Sequence, residues 1–150
     1  MIGGYFFMKN FLMLLFSIIF TIASLTIMHY MEKDLLFKDA MHYTFYSQSV
    51  SSQAKIISTT AKDAKKVKYS IANLTGESAE YKNAEDAFQQ IDRYNANFRF
   101  MEECGDIQNY YFYSPNLYAA VHVNGIAVNL HIAIKIDGVT IGSPLIFGGF

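Results

Sequence analysis

Four histidines and one cysteine are the residues of this chain with the greatest capacity for chemistry. A metal site needs several nitrogen, sulfur or carboxylate ligands around one ion. His29 and His42 lie far apart along a helical pattern, while His122 and His131 lie about four residue pairs apart in the expected sheet, too far to share an ion. The sequence therefore predicts no metal site and no cofactor.

The cysteine has no neighbour that would activate it. A nucleophilic thiolate needs a cation or a hydrogen-bond donor, and Cys104 instead lies among Glu102, Glu103 and Asp106. An intermolecular disulfide and an inert thiol remain as alternatives. The two adjacent glutamates point to opposite faces of a strand and do not share a cleft. Because phosphate-loop and nucleophile motifs are also missing, the sequence predicts no catalytic residue and no enzyme.

Composition narrows the class of partner. The chain has 150 residues and a net charge of −1, so it lacks the basic surplus that nucleic-acid binding requires. It is 52% hydrophobic and 16% aromatic, which indicates a folded domain with a core. The single cysteine excludes an intramolecular disulfide. Partner proteins and lipid are then the expected contacts, and neither nucleic acid nor a small-molecule ligand is expected.

An uncharged apolar stretch dominates the beginning of the chain. After a short tail over 1–9, residues 10–31 are mostly Leu, Ile, Phe and Met. As a helix this stretch crosses a hydrocarbon core of about 30 Å, which predicts a single-pass, retained signal anchor. A cleaved signal peptide, with its site at Thr21-Ile22-Ala23, is the alternative. We expect the N-terminus in the cytoplasm and the C-terminal domain outside it, in the periplasm or at the cell surface.

Small polar residues recur along one face of this predicted anchor. In lipid, such residues let helices approach closely and hydrogen-bond to one another. The alternative is that their hydroxyls bond to their own helix backbone. The predicted membrane-helix packing face consists of Asn10, Ser17, Thr21 and Ser24.

Beyond the anchor, small and weakly apolar residues continue at alternating spacings of three and four. That spacing predicts a long amphipathic stalk helix over 32–76, ended by Asn73 and Gly76. The predicted stalk packing stripe consists of Val50, Ala54, Ile57, Ala61 and Ala64.

The last half, 77–150, is predicted to be a small α+β head. A helix over 79–94, capped by Ser78, precedes an antiparallel sheet over about 96–142 and an apolar tail over 143–150. The apolar face of that helix consists of Ala84, Ala87, Phe88 and Ile91. The period of the pattern changes to two over 126–136. The Asn124-Gly125 turn predicts the pairs Val121 with Val128 and Val123 with Ile126. Two further turns, at Pro115-Asn116 and Asp137-Gly138, then give a meander of about four or five strands, in which Leu130 pairs with Ala119 and Ile134 with Ile141.

One face of this predicted sheet gathers aromatic and polar side chains. Exposed aromatic residues can mark a surface for a partner, whereas the alternative is the ordinary preference of Tyr for strands. The candidate partner face consists of Tyr111, Tyr113, Tyr118, His122, Asn129 and His131.

Taken together, an apolar N-terminal helix, a linker and an antiparallel meander resemble the layout of type IV pilins and minor pseudopilins. In that family a glutamate is the fifth residue after a glycine cleavage point, and here Gly4-Tyr5 is followed by Lys9 at that place. The resemblance is one of layout and implies self-association or contact with other membrane proteins. We expect a non-enzymatic, membrane-anchored structural or assembly subunit of an envelope machine. The alternative is a membrane-anchored extracytoplasmic ligand-binding or sensing module.

Overall fold

The computed structural model describes residues 2–32, 34–51, 53–117 and 119–147, and within the first helix it describes the side chains of 10–26. The chain divides into two units, Met1–Asp34 and Leu35–Phe150. The first unit is one helix, α1 (Ile2–Glu32). Every described side chain from 10 to 26 is exposed. Among the described residues, no helix combines the length and the apolar character needed for crossing a membrane.

The second unit mixes helices and strands. Its elements in chain order are β1 (His42–Ser47), β2 (Lys55–Thr60), α2 (Ala61–Ser70), β3 (Leu74–Tyr81), α3 (Ala84–Arg93), β4 (Asn97–Cys104), β5 (Ile107–Tyr113), β6 (Val121–Val123), β7 (Ile126–Val128), β8 (Leu130–Lys135) and β9 (Gly138–Ser143).

Seven of these strands form one sheet in the order β2-β1-β3-β9-β8-β5-β4, and every neighbouring pair is antiparallel. Strands β6 and β7 form a separate two-stranded sheet. The expected α+β class with an antiparallel sheet is confirmed. The sheet is wider than expected because it recruits three strands from before residue 82.

The core lies between one face of the sheet and the helices α2 and α3. Alternate residues of the central strands point to this face, which we call the helix face, and they include Tyr43, Phe45, Ile132 and Ile141. Ala64 of α2 and Ala87 of α3 are fully buried against them. Small side chains at these positions let both helices approach the sheet closely.

The predicted stalk helix over 32–76 is wrong. In the described part of this range lie the last residue of α1, the strands β1 and β2, one short helix, α2, and the start of β3. Aromatic and β-branched residues crowd the first two strands, as in Ile56-Ile57, and such side chains prefer an extended backbone. The stripe is therefore dispersed: Val50 is an exposed loop residue, Ala54 lies in a turn, Ile57 is in β2, and only Ala61 and Ala64 share a helix.

The predicted helix over 79–94 begins later than expected. Residues up to Tyr81 belong to β3, and α3 starts after Asn83, whose side chain accepts a hydrogen bond from the Asp86 N–H. Ser78 caps nothing, because its hydroxyl bonds to the Tyr46 hydroxyl at 2.8 Å. The predicted apolar face of the helix does pack on the core, through Ala84, Ala87, Phe88 and Ile91.

The Asn124-Gly125 hairpin is confirmed, with Val121 opposite Val128 and Val123 opposite Ile126. The predicted continuation of that ladder is wrong, because the chain leaves the hairpin at Asn129 and β8 pairs with β5 instead. The turn between β8 and β9 is centred one residue earlier than predicted. The partner of Ile134 is therefore Val139 and not Ile141, a shift of two residues in the pairing. This shift of two residues keeps the same side chains on the helix face, since the side-chain period of a strand is two.

A buried ion pair joins three parts of the second unit. The Lys68 Nζ of α2 lies 2.7 Å from the Glu77 Oε2 of β3, and the two side chains are 2% and 0% exposed. The Leu36 N–H donates to the other carboxylate oxygen of Glu77 at 2.9 Å. The Phe37 backbone also hydrogen-bonds to the Glu77 carboxylate. Burial raises the pKa of Glu77, and the Lys68 ammonium opposes that shift.

We predict that Lys68→Met destabilises the protein by about 3–5 kcal/mol, because it leaves a buried carboxylate without its cation. The measurement is urea unfolding of the full chain in mild detergent. Lys66→Met, an exposed position on the same helix, is the matched control. The double variant Lys68→Met/Glu77→Leu should recover most of the loss. Equal midpoints for Lys68→Met and Lys66→Met would contradict the role of the pair.

Candidate functional site

The second face of the sheet, opposite the helix face, carries most of the polar groups. Residues after β9 cross part of this face, and we call Pro144–Phe147 the strap. The Phe147 ring meets the Tyr46 ring edge-on at 5.2 Å, and the Tyr46 hydroxyl bonds to the Phe147 backbone. The strap is therefore fixed to β1 at its far end.

Glycine makes room for the strap. A Cβ added at Gly142 would lie 2.7 Å from Ile146 Cγ1, and one at Gly76 would lie 2.8 Å from the Ser143 carbonyl oxygen. Both separations are shorter than carbon atoms tolerate in a packed interior. The absence of side chains at these two positions thus leaves room for Ser143 and for the strap.

His131 holds the near end of the strap. The Ile146 N–H donates to His131 Nδ1 at 3.3 Å, so the proton of the neutral ring is on Nε2, which lies 3.0 Å from Asn109 Oδ1. The ring also stacks on Tyr111 at 4.6 Å, and Tyr111 stacks on Phe100 at 4.4 Å. Burial lowers the pKa of His131 to about 4. A neutral ring is therefore part of the folded structure at neutral pH.

Beside the strap, residues of strands β1, β2, β3, β8 and β9 line an open pocket with a volume of about 260 Å³. Its floor is rich in hydroxyls, with Thr44 Oγ1 bonded to Ser58 Oγ at 3.0 Å and Tyr46 bonded to Ser78. One end is charged and the other is apolar. The charged end contains His42, Glu80 and Lys135, and the apolar end contains Ile56, Ile146 and Phe147.

The predicted partner face is not an exposed surface. His131, Tyr111 and Asn129 are buried, with exposed fractions of 4%, 9% and 1%. Tyr113 is half-buried beneath the Arg99 guanidinium, 5.2 Å from the ring centre. Only His122 is exposed, on the β6–β7 hairpin. Tyr118 lies outside the described residues.

Asn129 is buried because it closes a loop. Its Oδ1 accepts from the Ser114 N–H at 2.7 Å, and its Nδ2 donates to the carbonyls of Ser114 and Leu117 at 2.8 and 3.0 Å. These bonds satisfy backbone groups that no strand pairs. A single polar residue in an alternating pattern carries no sequence signal for this role.

The small polar residues of α1 bond within their own helix. Thr21 Oγ1 donates to the Ser17 carbonyl and Ser24 Oγ to the Phe20 carbonyl, both at 2.8 Å. The hydroxyls of these two residues thus donate to their own helix backbone. This arrangement is the alternative to hydrogen bonding between helices. The four residues Asn10, Ser17, Thr21 and Ser24 are all exposed on this helix.

Among the described residues, no group of three or more His, Cys, Asp or Glu side chains has the geometry to hold a metal ion. Cys104 is exposed at the end of β4. Glu102 of the same strand accepts from Asn124 Nδ2 at 3.0 Å, which ties the β6–β7 hairpin to the sheet. The pocket beside the strap is therefore the candidate site.

Comparison with known proteins adds no relative: no family model, curated protein or solved structure matches this chain.

Sequence reasoning missed both the pocket and the strap. The pocket combines residues from five strands, and two of those strands, β1 and β2, lie wholly in the range predicted to be the stalk. The apolar tail was recognised, but its place over Gly142 depends on a long-range contact. The sequence signal that indicates the pocket is the pair of hydroxyl-rich stretches in β1 and β2.

We predict that stability falls as the pH is lowered from about 6.5 to about 4, since the unfolded chain binds a proton at His131 in this window and the folded chain does not. Below about pH 4 both states are protonated, and the loss levels off at about 3 kcal/mol. Unfolding free energies measured across this range should depend less on pH in His131→Gln than in the wild type. His122→Gln, which changes an exposed histidine on the β6–β7 hairpin, is the control and should keep the wild-type slope. Equal slopes in all three proteins would contradict the buried neutral ring.

We also predict that Gly142→Ala costs about 1–3 kcal/mol, because the new methyl group overlaps the strap. Ile146→Ala removes the nearest atom, so combining the two substitutions should cost less than the sum of the single changes. Thermal unfolding of the four proteins measures this coupling. Strict additivity would show that the strap does not lie over Gly142.

Proposed function

We propose that this chain is a non-enzymatic, membrane-anchored structural or assembly subunit of an envelope machine. Its first unit would hold it in the bilayer, and its second unit would be displayed outside the cytoplasm. The observation that carries the proposal is the exposure of apolar side chains along α1.

That exposure is continuous over the described part of the helix. Its large apolar side chains are 44–73% exposed, from Phe11 to Leu25, and the sequence has no charged residue from Asn10 to Met31. A helix that is apolar all round requires either lipid or other protein around it. A bilayer would provide such surroundings along the uncharged stretch of the sequence from Asn10 to Met31.

The assembly part of the proposal concerns where copies or partners would meet. The stalk stripe and the sheet face no longer support it, so the support comes from α1. Its small residues on one face permit close approach of a second helix, even though two of their hydroxyls already donate internally. Association in the membrane would thus depend on packing more than on hydrogen bonds.

Membrane attachment is tested by alkaline extraction of cell membranes. We predict that the wild type stays in the membrane pellet and that Leu15→Lys/Ile18→Lys is released, since a lysine near the centre of a span costs about 2.5–3.5 kcal/mol. Ile136→Lys changes an apolar residue that is 90% exposed in a turn, and it should leave the protein in the pellet. Release of the wild type would contradict the proposal.

Association is tested by crosslinking the full chain in membranes. We predict that Ser17→Ile/Ser24→Ile reduces crosslinked species about fivefold, as expected for the loss of about 1 kcal/mol of helix packing. Ala23→Ile makes a similar enlargement on the opposite side of the helix and should have no effect. Equal effects of both changes, or no crosslinked species in the wild type, would exclude this face as the contact.

A second candidate function is ligand binding or sensing by the second unit. The pocket beside the strap favours it, because the pocket is concave, rich in hydroxyls and charged at one end. Binding sites typically combine an apolar lining with a few placed polar groups. The two functions are compatible, since a subunit of an assembly can also respond to a small molecule.

A further inference from the structure

We propose that His131 is an acid-sensitive latch for the strap: a proton that binds its Nδ1 displaces the Ile146 N–H, and the strap then leaves the second face of the sheet. The inference concerns the second unit alone and goes beyond the proposed function. It is carried by the place on the histidine ring to which the strap is hydrogen-bonded.

The strap is bound to the one ring atom that acid protonates. In the neutral ring the proton is on Nε2, which lies 3.0 Å from Asn109 Oδ1, so the free lone pair is on Nδ1. The Ile146 N–H donates to this lone pair at 3.3 Å. A second proton binds at the same place, and two N–H groups would then point at each other. Protonation of the ring and attachment of Ile146 are therefore mutually exclusive.

The site around the ring is unsuitable for a cation. His131 is only 4% exposed, and it stacks on the Tyr111 ring at 4.6 Å. A buried imidazolium would lose its hydration, and a charge without water or a counter-ion is costly. Opening the strap returns water to Nδ1, so acid favours the open strap.

The titratable groups near the ring supply no counter-ion at Nδ1. Burial is the cause that lowers the pKa of His131 to about 4. From β4, the Glu102 carboxylate hydrogen-bonds to the hydroxyl of Tyr111, and Cys104 also lies near Tyr111. β9 places a glycine opposite the ring, and the strap has no titratable side chain. On β8 itself, Lys135 lies four residues away, which is about 13 Å along the strand.

The far end of the strap does not respond to acid. The Phe147 ring meets the Tyr46 ring edge-on, and the Tyr46 hydroxyl bonds to the Phe147 backbone. Burial raises the pKa of Tyr46, so its hydroxyl keeps its proton at every acidic pH. Lowering the pH thus weakens one of the two attachments. Because Ile146 and Phe147 line the apolar end of the pocket, the pocket loses that end when the strap leaves.

Amide hydrogen exchange at Ile146, followed by NMR of the full chain in mild detergent, tests the latch. With the strap open the ring is in water, where the pKa of histidine is about 6.5. Linkage to the value of about 4 in the closed state raises the opening constant about twentyfold between pH 7 and pH 5. We expect this loss of protection at Ile146 after correction for the intrinsic exchange rate. At both pH values the protection of Ile146 should be at least about tenfold below that of Ile132 in β8, because the strap opens while the sheet stays folded.

Three variants assign the response to one group. His131→Asn offers an amide oxygen as acceptor and does not titrate, so the protection of Ile146 should be the same at pH 7 and pH 5. Glu102→Gln changes the carboxylate beneath Tyr111, and His42→Gln changes the histidine that lies 3.4 Å from Glu80 at the charged end of the pocket. Both should keep the wild-type response. A response that persists in His131→Asn, or that is lost in His42→Gln, would overturn the latch.

The ring nitrogens provide a test in the wild type that needs no variant. At pH 7 their NMR signals should show a proton on Nε2 and none on Nδ1, and protonation of Nδ1 should accompany the loss of protection at Ile146. A proton on Nδ1 at pH 7, or a protonated ring with Ile146 still protected, would overturn the proposal. Equal protection of Ile146 and Ile132 at both pH values would show that the strap leaves only when the whole unit unfolds, and would also overturn it.

Discussion

The second unit depends on one buried charge pair. Glu77 has no exposed surface, and its carboxylate is bound by the Lys68 ammonium on one oxygen and by the Leu36 N–H on the other. A carboxylate in such surroundings is tolerated only when its partners are all in place. The pair therefore joins helix α2 and the segment that enters the unit to the third strand of the sheet.

The two faces of the sheet are covered in different ways. On the helix face, aromatic and aliphatic side chains from β1, β3, β8 and β9 pack under two short helices, whose buried residues include Ala64 and Ala87. On the second face, polar residues are buried in part by the strap and are otherwise open as a pocket. The strap depends on Gly142 beneath it and on a neutral His131 beside it. The strap is the apolar wall of the pocket, so the pocket also depends on Gly142 and on a neutral His131.

Local chemistry could be predicted from the sequence wherever a few neighbouring residues decide the outcome. Asn124-Gly125 specifies its hairpin and register, and the apolar face of α3 is visible at Ala84, Ala87, Phe88 and Ile91. The stalk helix was a wrong prediction because it relied on residue spacing alone. The aromatic and β-branched residues of β1 and β2 locally favour strands. A helix pattern built from alanine and serine is weak, and pairing with β3 prevailed over it.

The candidate site could not be predicted, because long-range contacts create it. Its walls combine residues of β1, β2, β3, β8 and β9 with the strap that follows β9. The same kind of long-range contact buries Asn129, which closes a loop, and His131, which the strap covers. Read in sequence order, Asn129 and His131 are polar residues of an alternating strand, which indicates exposure. Their burial follows from what covers the second face, and no local pattern contains that information.

Amide hydrogen exchange at Leu36, measured residue by residue in the full chain, tests the central constraint most directly. Leu36 belongs to no helix or strand, so an amide there would ordinarily exchange at the rate of a loop. Because it donates to Glu77, the account predicts exchange as slow as that of the β3 amides. Exchange as fast as that of Gln53, in the exposed loop between β1 and β2, would contradict the constraint on which the fold is argued to depend.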